Sequence, residues 1–250
     1  LIQNFEEFLK LYAYLYTAQL ALNIKGYPAE PEAKPLFFIM ENERASLERT
    51  NLVRNGHQKV SANIRFIFPY LSMAETLQEN LKGSRRIPLW DLAGRLTEED
   101  SERLRAYADA FATERELDFD RGKTSGDPLH WLSCLLDLAH GQFAQGEKRS
   151  AAQNRFVETA ETELCSAFVR ARGRVGKVLV INQDYLMLLT NLAIGERQRL
   201  RFHELLDEFN ARGIFFDNKT QQALIQFYER VGNVERMSDS GDAVYVRKTI

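Results

Sequence analysis

The sequence has few cysteines, no long apolar segment and almost no net charge. Its 250 residues include only Cys134 and Cys165, too few for the disulfide framework of a secreted protein, so we expect a reducing compartment, the cytoplasm. No apolar run approaches the roughly 20 residues of a membrane-spanning helix, so we expect no membrane partner. The net charge of −2 gives no strong global attraction for nucleic acid, and any such contact must come from a local patch.

The composition is that of an ordinary folded globular protein, with 44% hydrophobic and 27% charged residues. Apolar residues recur at helical spacing along much of segment 1–172, which predicts a helical body whose last helix covers 150–172. The pattern of 1–22 is that of a helix already in progress at Leu1. We therefore expect the chain to be a fragment of a longer protein.

A basic segment, residues 170–177, follows the predicted helical body and contains four cations and two glycines. Such cations can neutralise DNA phosphates, and glycine lets the backbone come close to a phosphate chain. The predicted nucleic-acid contacts are Arg170, Arg172, Arg174 and Lys177. The alternative is a solvated hinge between two domains.

Residues 178–250 contain signals for a different set of elements. Potential cap residues predict three helices: Asn182 and Asp217 (or Asn218) begin two of them, and Gly195, Gly213 and Gly232 end all three. Between the first two helices, Arg199–Phe202 has the length of a single strand. Alternating residues on both sides of 238–242 predict a hairpin with its turn there.

This order of helix, strand, two helices and hairpin is that of a winged helix. The predicted fold class is therefore mainly α, with a helical domain at 1–172 and a C-terminal winged-helix domain at 178–250. The alternative is a small α+β cap on the helical body.

The motifs that would carry catalysis are incomplete. Gly122-Lys123-Thr124 resembles the end of a phosphate-binding loop, but Leu117 stands where the first glycine is required. His130, Cys134 and Asp137 share a helical face, but neighbouring leucines favour a buried packing helix over a zinc site. We therefore predict a chain with no catalytic residues, no metal and no cofactor. A site assembled from scattered residues remains the alternative.

The third helix of the predicted winged helix would present four residues outward for recognition or docking: Gln222, Ile225, Gln226 and Arg230. Glutamine can read adenine in the major groove. Segment 178–250 nevertheless contains nine Lys or Arg against ten Asp or Glu, and its hairpin turn carries Asp239 and Asp242, which phosphates would repel. The helix therefore serves either DNA recognition or protein docking.

Three stretches resemble the DptG family of DNA phosphorothioation-dependent restriction proteins. They are Arg172–Leu179, Arg212–Asp217 and Ser238–Val246, with a weaker similarity over Phe37–Arg49. Members of that family are longer than this chain, so the resemblance implies a C-terminal portion.

The resemblance implies a role in bacterial antiviral defence, as a subunit of a complex that restricts DNA lacking sulfur in its backbone. The implied partners are DptF-like and DptH-like proteins that carry the nucleotide-hydrolysing and helicase-like functions, and DNA itself. The expected function is a non-catalytic scaffold or DNA-engaging subunit. The alternatives are a transcriptional regulator that uses the winged helix, and a nuclease with scattered acidic residues.

Overall fold

The structure is a computed structural model that describes residues 5–24, 29–43, 49–78, 87–120, 122, 125–144, 146, 149–237 and 243–248. These residues form a mainly helical protein with two small sheets. The α-helices are α1 (Phe5–Asn23), α2 (Thr50–Ile64), α3 (Ile67–Thr76), α4 (Leu89–Arg95), α5 (Asp100–Arg115), α6 (Pro128–Gly141), α7 (Ser150–Thr159), α8 (Gln183–Ile194), α9 (Phe202–Asn210) and α10 (Asn218–Arg230). The strands are β1 (Leu36–Met40), β2 (Val169–Ala171), β3 (Lys177–Ile181), β4 (Arg199–Arg201), β5 (Ile214–Phe215), β6 (Val234–Met237) and β7 (Ala243–Arg247).

The chain divides into two compact units. The sheet unit comprises Leu1–Gln19, Ala33–Ala62 and Glu161–Ile250, and the helical unit comprises Leu20–Glu32 and Asn63–Ala160. These limits differ from the predicted domains 1–172 and 178–250. The difference arises because strand β1, from the predicted helical body, pairs with β3 and β5 from the C-terminal segment.

The sheet unit contains a four-stranded sheet in the order β2-β3-β1-β5. Strands β3 and β5 both run parallel to β1, with Phe38 opposite Leu179 and Leu36 opposite Ile214, while β2 runs antiparallel to β3. In each of the strands β1 and β3, four of the five residues are buried, as expected for parallel strands covered on both faces. Helix α2 packs close to the sheet at Gly56, where a Cβ would lie 3.4 Å from Leu179.

The second sheet of this unit is antiparallel, in the order β4-β7-β6. Two helices of the same C-terminal segment, α8 and α10, begin at the predicted residues. The Asn182 side chain accepts a hydrogen bond from the Tyr185 N–H at 2.8 Å and caps α8. The Asp217 carboxylate accepts one from the Thr220 N–H at 2.9 Å and caps α10. Both predicted caps are therefore confirmed, whereas the predicted hairpin turn at 238–242 lies outside the described residues.

The helical unit is built from α3 to α7. Its core lies between α5 and α6, where Trp131 and Leu132 are buried among the side chains of Leu89, Leu104 and Ala108. The indole N–H of Trp131 donates to the carbonyl of Ser125 at 3.0 Å, so this large side chain is buried without an unpaired donor. None of the helices in the described residues combines the length and apolar character that crossing a bilayer requires.

The predicted helix over 150–172 is too long. The α-helix ends at Thr159, and Ala160–Leu164 widens into one π-helical turn. The chain then changes to extended structure, because Val169–Ala171 pairs with Lys177–Leu179 and completes the edge of the sheet. The basic segment thus lies in a β-hairpin and not at the end of a helix.

Candidate nucleic-acid and docking surfaces

The basic segment forms the tight connection between β2 and β3. A single 3₁₀ turn at Gly173–Val175 reverses the chain, and the Arg172 N–H donates to the Gly176 carbonyl at 2.8 Å. Gly176 has φ +87° and Gly173 has φ +50°. Residues other than glycine rarely adopt a positive φ. The sequence predicted that these two glycines let the backbone come close to a phosphate chain. The structure shows that the turn between β2 and β3 requires them in any case, because of their positive φ.

The four predicted contact residues differ in how strongly the protein already engages them. Arg170 Nε lies 3.3 Å from Glu41 Oε1, and Arg172 donates to the backbone carbonyl of Glu41. Lys177 Nζ lies 3.5 Å from Glu161 Oε2. Arg174 is exposed and forms no ion pair with any residue that the structure describes. The hairpin therefore presents Arg174 most openly.

Glu161 anchors Lys177 on the sheet unit. Ser61 of α2 donates a 2.6 Å hydrogen bond to Glu161 Oε1, and this bond lowers the pKa of Glu161, with Lys177 adding to the effect against the opposing influence of burial. The carboxylate is thus held ionised beside Lys177. Such half-exposed pairs contribute little free energy, so a phosphate could displace the lysine at small cost.

The outward face of α10 is polar and largely exposed. Gln222, Gln226 and Arg230 are exposed and Ile225 is half-buried, whereas Leu224, Phe227 and Tyr228 of the same helix are buried. The Arg230 guanidinium lies 5.8 Å from the centre of the Phe227 ring, within the range of a cation–π contact. The two glutamines are four residues apart, so they are neighbours on the same exposed face of the helix.

A buried ion network joins the carboxyl end of β1 to the beginning of α10. Arg49 Nε and Nη2 donate to the two carboxylate oxygens of Asp217 at 2.5 and 2.6 Å, and Nη1 donates to Glu43 Oε1 at 3.0 Å. Arg49 also donates to the hydroxyl of Thr220, and Glu43 accepts from the Met40 N–H at 2.9 Å. Sequence reasoning missed this network because Arg49 and Asp217 are 168 positions apart.

The charge states within this network follow from its geometry. Burial opposes ionisation of Asp217, but the hydrogen bonds from Arg49 and Thr220 outweigh it and lower the pKa of Asp217. The same two carboxylates raise the pKa of Arg49 despite its burial. Asp217 is therefore held as an ionised acid, and the contacts of Arg49 with both Asp217 and Glu43 brace the fold.

Two other groups bear on the alternative of a scattered catalytic site. Glu41 and Asp184 line a cavity of about 350 Å³ at the carboxyl ends of β1 and β3. On α6, His130 Nε2 lies 3.6 Å from Cys134 Sγ. Among the described residues, no group of three or more His, Cys, Asp or Glu side chains is arranged to hold a metal ion. The second and third residues of the motif Gly122-Lys123-Thr124 lie outside the described residues.

Comparison with known proteins adds no family to this picture. No protein-family model matches the chain, and no curated protein matches it either. The resemblance to the DptG family therefore depends on the stretches quoted from the sequence, all of which fall within the residue ranges of the sheet unit.

Proposed function

We propose that this chain is a non-catalytic, DNA-engaging scaffold subunit of a cytoplasmic phosphorothioation-dependent restriction complex, and that its C-terminal part is a winged helix. The observation that carries the proposal is the order α8, β4, α9, β5, α10, β6 and β7, in which β4, β7 and β6 form one antiparallel sheet and the two-residue strand β5 pairs with β1 in the other sheet. Apart from β5, the order is α8, β4, α9, α10, β6 and β7. A winged helix has this order of elements, with one helix free to enter a groove or to dock a protein. The DptG resemblance supplies the restriction complex, with DptF-like and DptH-like proteins as partners.

The basic segment is the proposed contact with the DNA backbone. Three of its cations are held by Glu41 and Glu161 through partly exposed interactions, and such pairs are individually weak. Phosphates can therefore compete for Arg170, Arg172 and Lys177, while Arg174 is exposed. The four cations then add a contribution to binding that is independent of base sequence and sensitive to salt.

The first prediction tests this contact with the full chain, because removing residues 178–250 would also remove β3 and β5 from the sheet. Replacing all four cations of the basic segment by alanine should weaken binding to duplex DNA evenly across sequences. The slope of log K against log salt should flatten by up to about three to four units, since each lost phosphate contact removes roughly 0.9. The measurement is fluorescence anisotropy with labelled duplexes at several salt concentrations.

A matched control removes the same charge from other exposed positions: Lys10, Arg95, Arg103 and Arg155. This control should retain most of the wild-type salt slope. Equal slopes for the wild type and the folded basic-segment variant would contradict the DNA contact and leave the segment as a hairpin without a role in binding. Among single variants, Arg174→Ala should have the largest effect.

Sequence-specific regulation is the second candidate, favoured by the adjacent exposed amides of Gln222 and Gln226 on α10. Bidentate reading of adenine by glutamine discriminates between bases by about 1–3 kcal/mol. Under this alternative, the double alanine variant of these glutamines would lose preference among duplex sequences. Under the scaffold proposal it would instead weaken capture of the partner proteins and leave affinity for all duplexes unchanged.

A further inference from the structure

The β4-β7-β6 sheet has one face that packs inward and one that is turned to solvent. Leu200 and Val246, which lie opposite each other, are buried. Because side chains alternate along a strand, their neighbours in sequence point the other way. The outward side chains are Arg199 and Arg201 on β4, Tyr245 and Arg247 on β7, and Glu235 on β6. We name these five residues the arginine face.

Tyr245 stands at the centre of the arginine face and orients its neighbours. The guanidinium of Arg199 lies 4.8 Å from the centre of the Tyr245 ring, and that of Arg201 lies 5.7 Å from it. Arg201 Nε also donates a 3.0 Å hydrogen bond to the Tyr245 hydroxyl. Contact with an aromatic ring restricts the conformations of an arginine side chain but leaves some of its N–H donors free to form hydrogen bonds. These two guanidinium groups are therefore oriented in a way that suits binding of an anion.

Two like charges face each other across neighbouring strands of the arginine face. Arg199 and Arg247 lie directly opposite each other, an arrangement of like charges that destabilises strand pairing. Glu235 relieves it by pairing with both, at 3.2 Å from Arg247 Nη1 and in direct contact with Arg199. A nearby acid, Glu204 at the start of α9, accepts a hydrogen bond from the Arg201 backbone N–H. The face therefore carries three guanidinium groups and one carboxylate, which pairs with Arg199 and Arg247, while Arg201 is bound to the Tyr245 hydroxyl.

We infer that the arginine face is a second contact with the phosphodiester backbone of duplex DNA, and this inference rests on the proposed DNA-engaging function. Arginine binds phosphate oxygens through paired N–H donors, which suits three guanidinium groups fixed on a rigid sheet. Phosphates entering the face would replace Glu235 as the partner of Arg199 and Arg247. Because the guanidinium groups of Arg199 and Arg201 already lie against the partly buried Tyr245 ring, we assign the face to backbone phosphates and not to stacked bases.

The test compares two variants of the full chain that remove arginine from opposite sides of the same sheet. The triple variant Arg199→Gln, Arg201→Gln, Arg247→Gln removes the face. The control Arg236→Gln changes an exposed arginine whose side chain points to the other side, where it contacts Glu229 on α10. The triple variant should flatten the salt slope for a 30-base-pair duplex by up to about three units, against at most one for the control. The ratio of Kd values at 200 and 50 mM salt should then fall by roughly 40-fold, at 0.9 per contact.

A gain-of-binding variant protects the test against loss of folding. Glu235→Gln removes the competing carboxylate and should tighten duplex binding and steepen the salt slope. Unchanged or weaker binding by a folded Glu235→Gln variant would overturn the inference, as would a triple variant that behaves like its Arg236→Gln control. If the wild-type chain binds no duplex even at low salt, the DNA-engaging function itself fails. If it binds and only these variants have no effect, the arginine face alone is rejected.

Discussion

Arg49 shows how a single buried charge can organise distant segments of the sheet unit. It is 7% exposed and satisfies the carboxylates of Glu43, directly after β1, and of Asp217, at the beginning of α10. A buried ion pair contributes little net stability when intact, because desolvation offsets the attraction. Removal of only one partner is costly, because the remaining charges stay buried without a counter-charge.

We predict that Arg49→Met destabilises the protein by about 3–5 kcal/mol at neutral pH, as when one partner of a buried pair is removed. Two acids, Glu43 and Asp217, would then be left without their cation. Urea-induced unfolding followed by circular dichroism measures the difference. The control is Arg95→Met, which removes an exposed arginine paired with Asp91 on α4 and should hardly change the transition midpoint.

The pH dependence of this difference has a definite sign. The pKa of Asp217 is lowered below its ordinary value of 3.8, so its contribution is complete above pH 3.8 and is lost as the pH falls through the folded value. The gap between the wild type and Arg49→Met should therefore narrow below about pH 4. A gap that stays constant from pH 7 to pH 3 would show that lost packing, and not charge, causes the effect.

At the scale of elements, local signals predicted the beginnings and ends of the C-terminal helices well and the four-stranded sheet poorly. The caps at Asn182 and Asp217 and the positive φ at Gly195 depend on residues a few positions apart, so the sequence displays them directly. The pairing of β1 with β3 joins residues about 140 positions apart, and no local pattern encodes a partner at that distance. The apolar run Leu36–Met40 could be identified, but its role as a central parallel strand could not.

The same distinction applies to the candidate site. Basic residues adjacent in sequence, such as Arg172 and Arg174, are visible in the sequence, whereas the carboxylates that pair with the basic segment are not. Glu41 lies 129 positions from Arg170, and the arginine face gathers side chains from three strands. The count of charges over 178–250 gave a slight acidic excess and concealed this face, because a net charge contains no information about where each side chain points.

Gly213 illustrates an element boundary that depends on both conformation and space. It precedes β5 with φ +80°, and its carbonyl accepts the Leu36 N–H at 2.9 Å. An added Cβ would clash with the Gln19 amide and lie 3.2 Å from the Lys34 carbonyl. The Gln19 amide is itself fixed by two 2.9 Å hydrogen bonds to the Lys34 backbone, so it can yield only by breaking them.

We therefore predict that Gly213→Ala destabilises the protein by more than the roughly 1 kcal/mol expected from positive φ alone. The control is Gly232→Ala, which has a similar φ of +75° but nothing within 4 Å of the new Cβ. Thermal unfolding of both variants separates the clash from the conformational cost. Equal losses for the two variants would mean that Gln19 moves aside freely.

At the scale of the whole molecule, the near-zero net charge conceals opposing local surfaces. Among the described residues, the basic segment and the arginine face each carry more cations than acids, whereas Glu41, which pairs with Arg170, and Asp184 line the cavity at the carboxyl ends of β1 and β3. The association rate with DNA should therefore depend on orientation more than on global attraction.

The last prediction is that the purified chain neither hydrolyses ATP nor cleaves DNA in the presence of magnesium. The phosphate-binding motif lacks its first glycine, since Leu117 occupies that position. Glu43 and Asp217 are already bound by Arg49 and do not open toward a substrate. Assays of phosphate release and of plasmid nicking, with Asp184→Asn and Glu41→Gln as matched variants, test this directly. Magnesium-dependent nicking that persists through rigorous purification of the wild type, and disappears in either variant, would identify the cavity beside β1 and β3 as a nuclease site and replace the scaffold proposal.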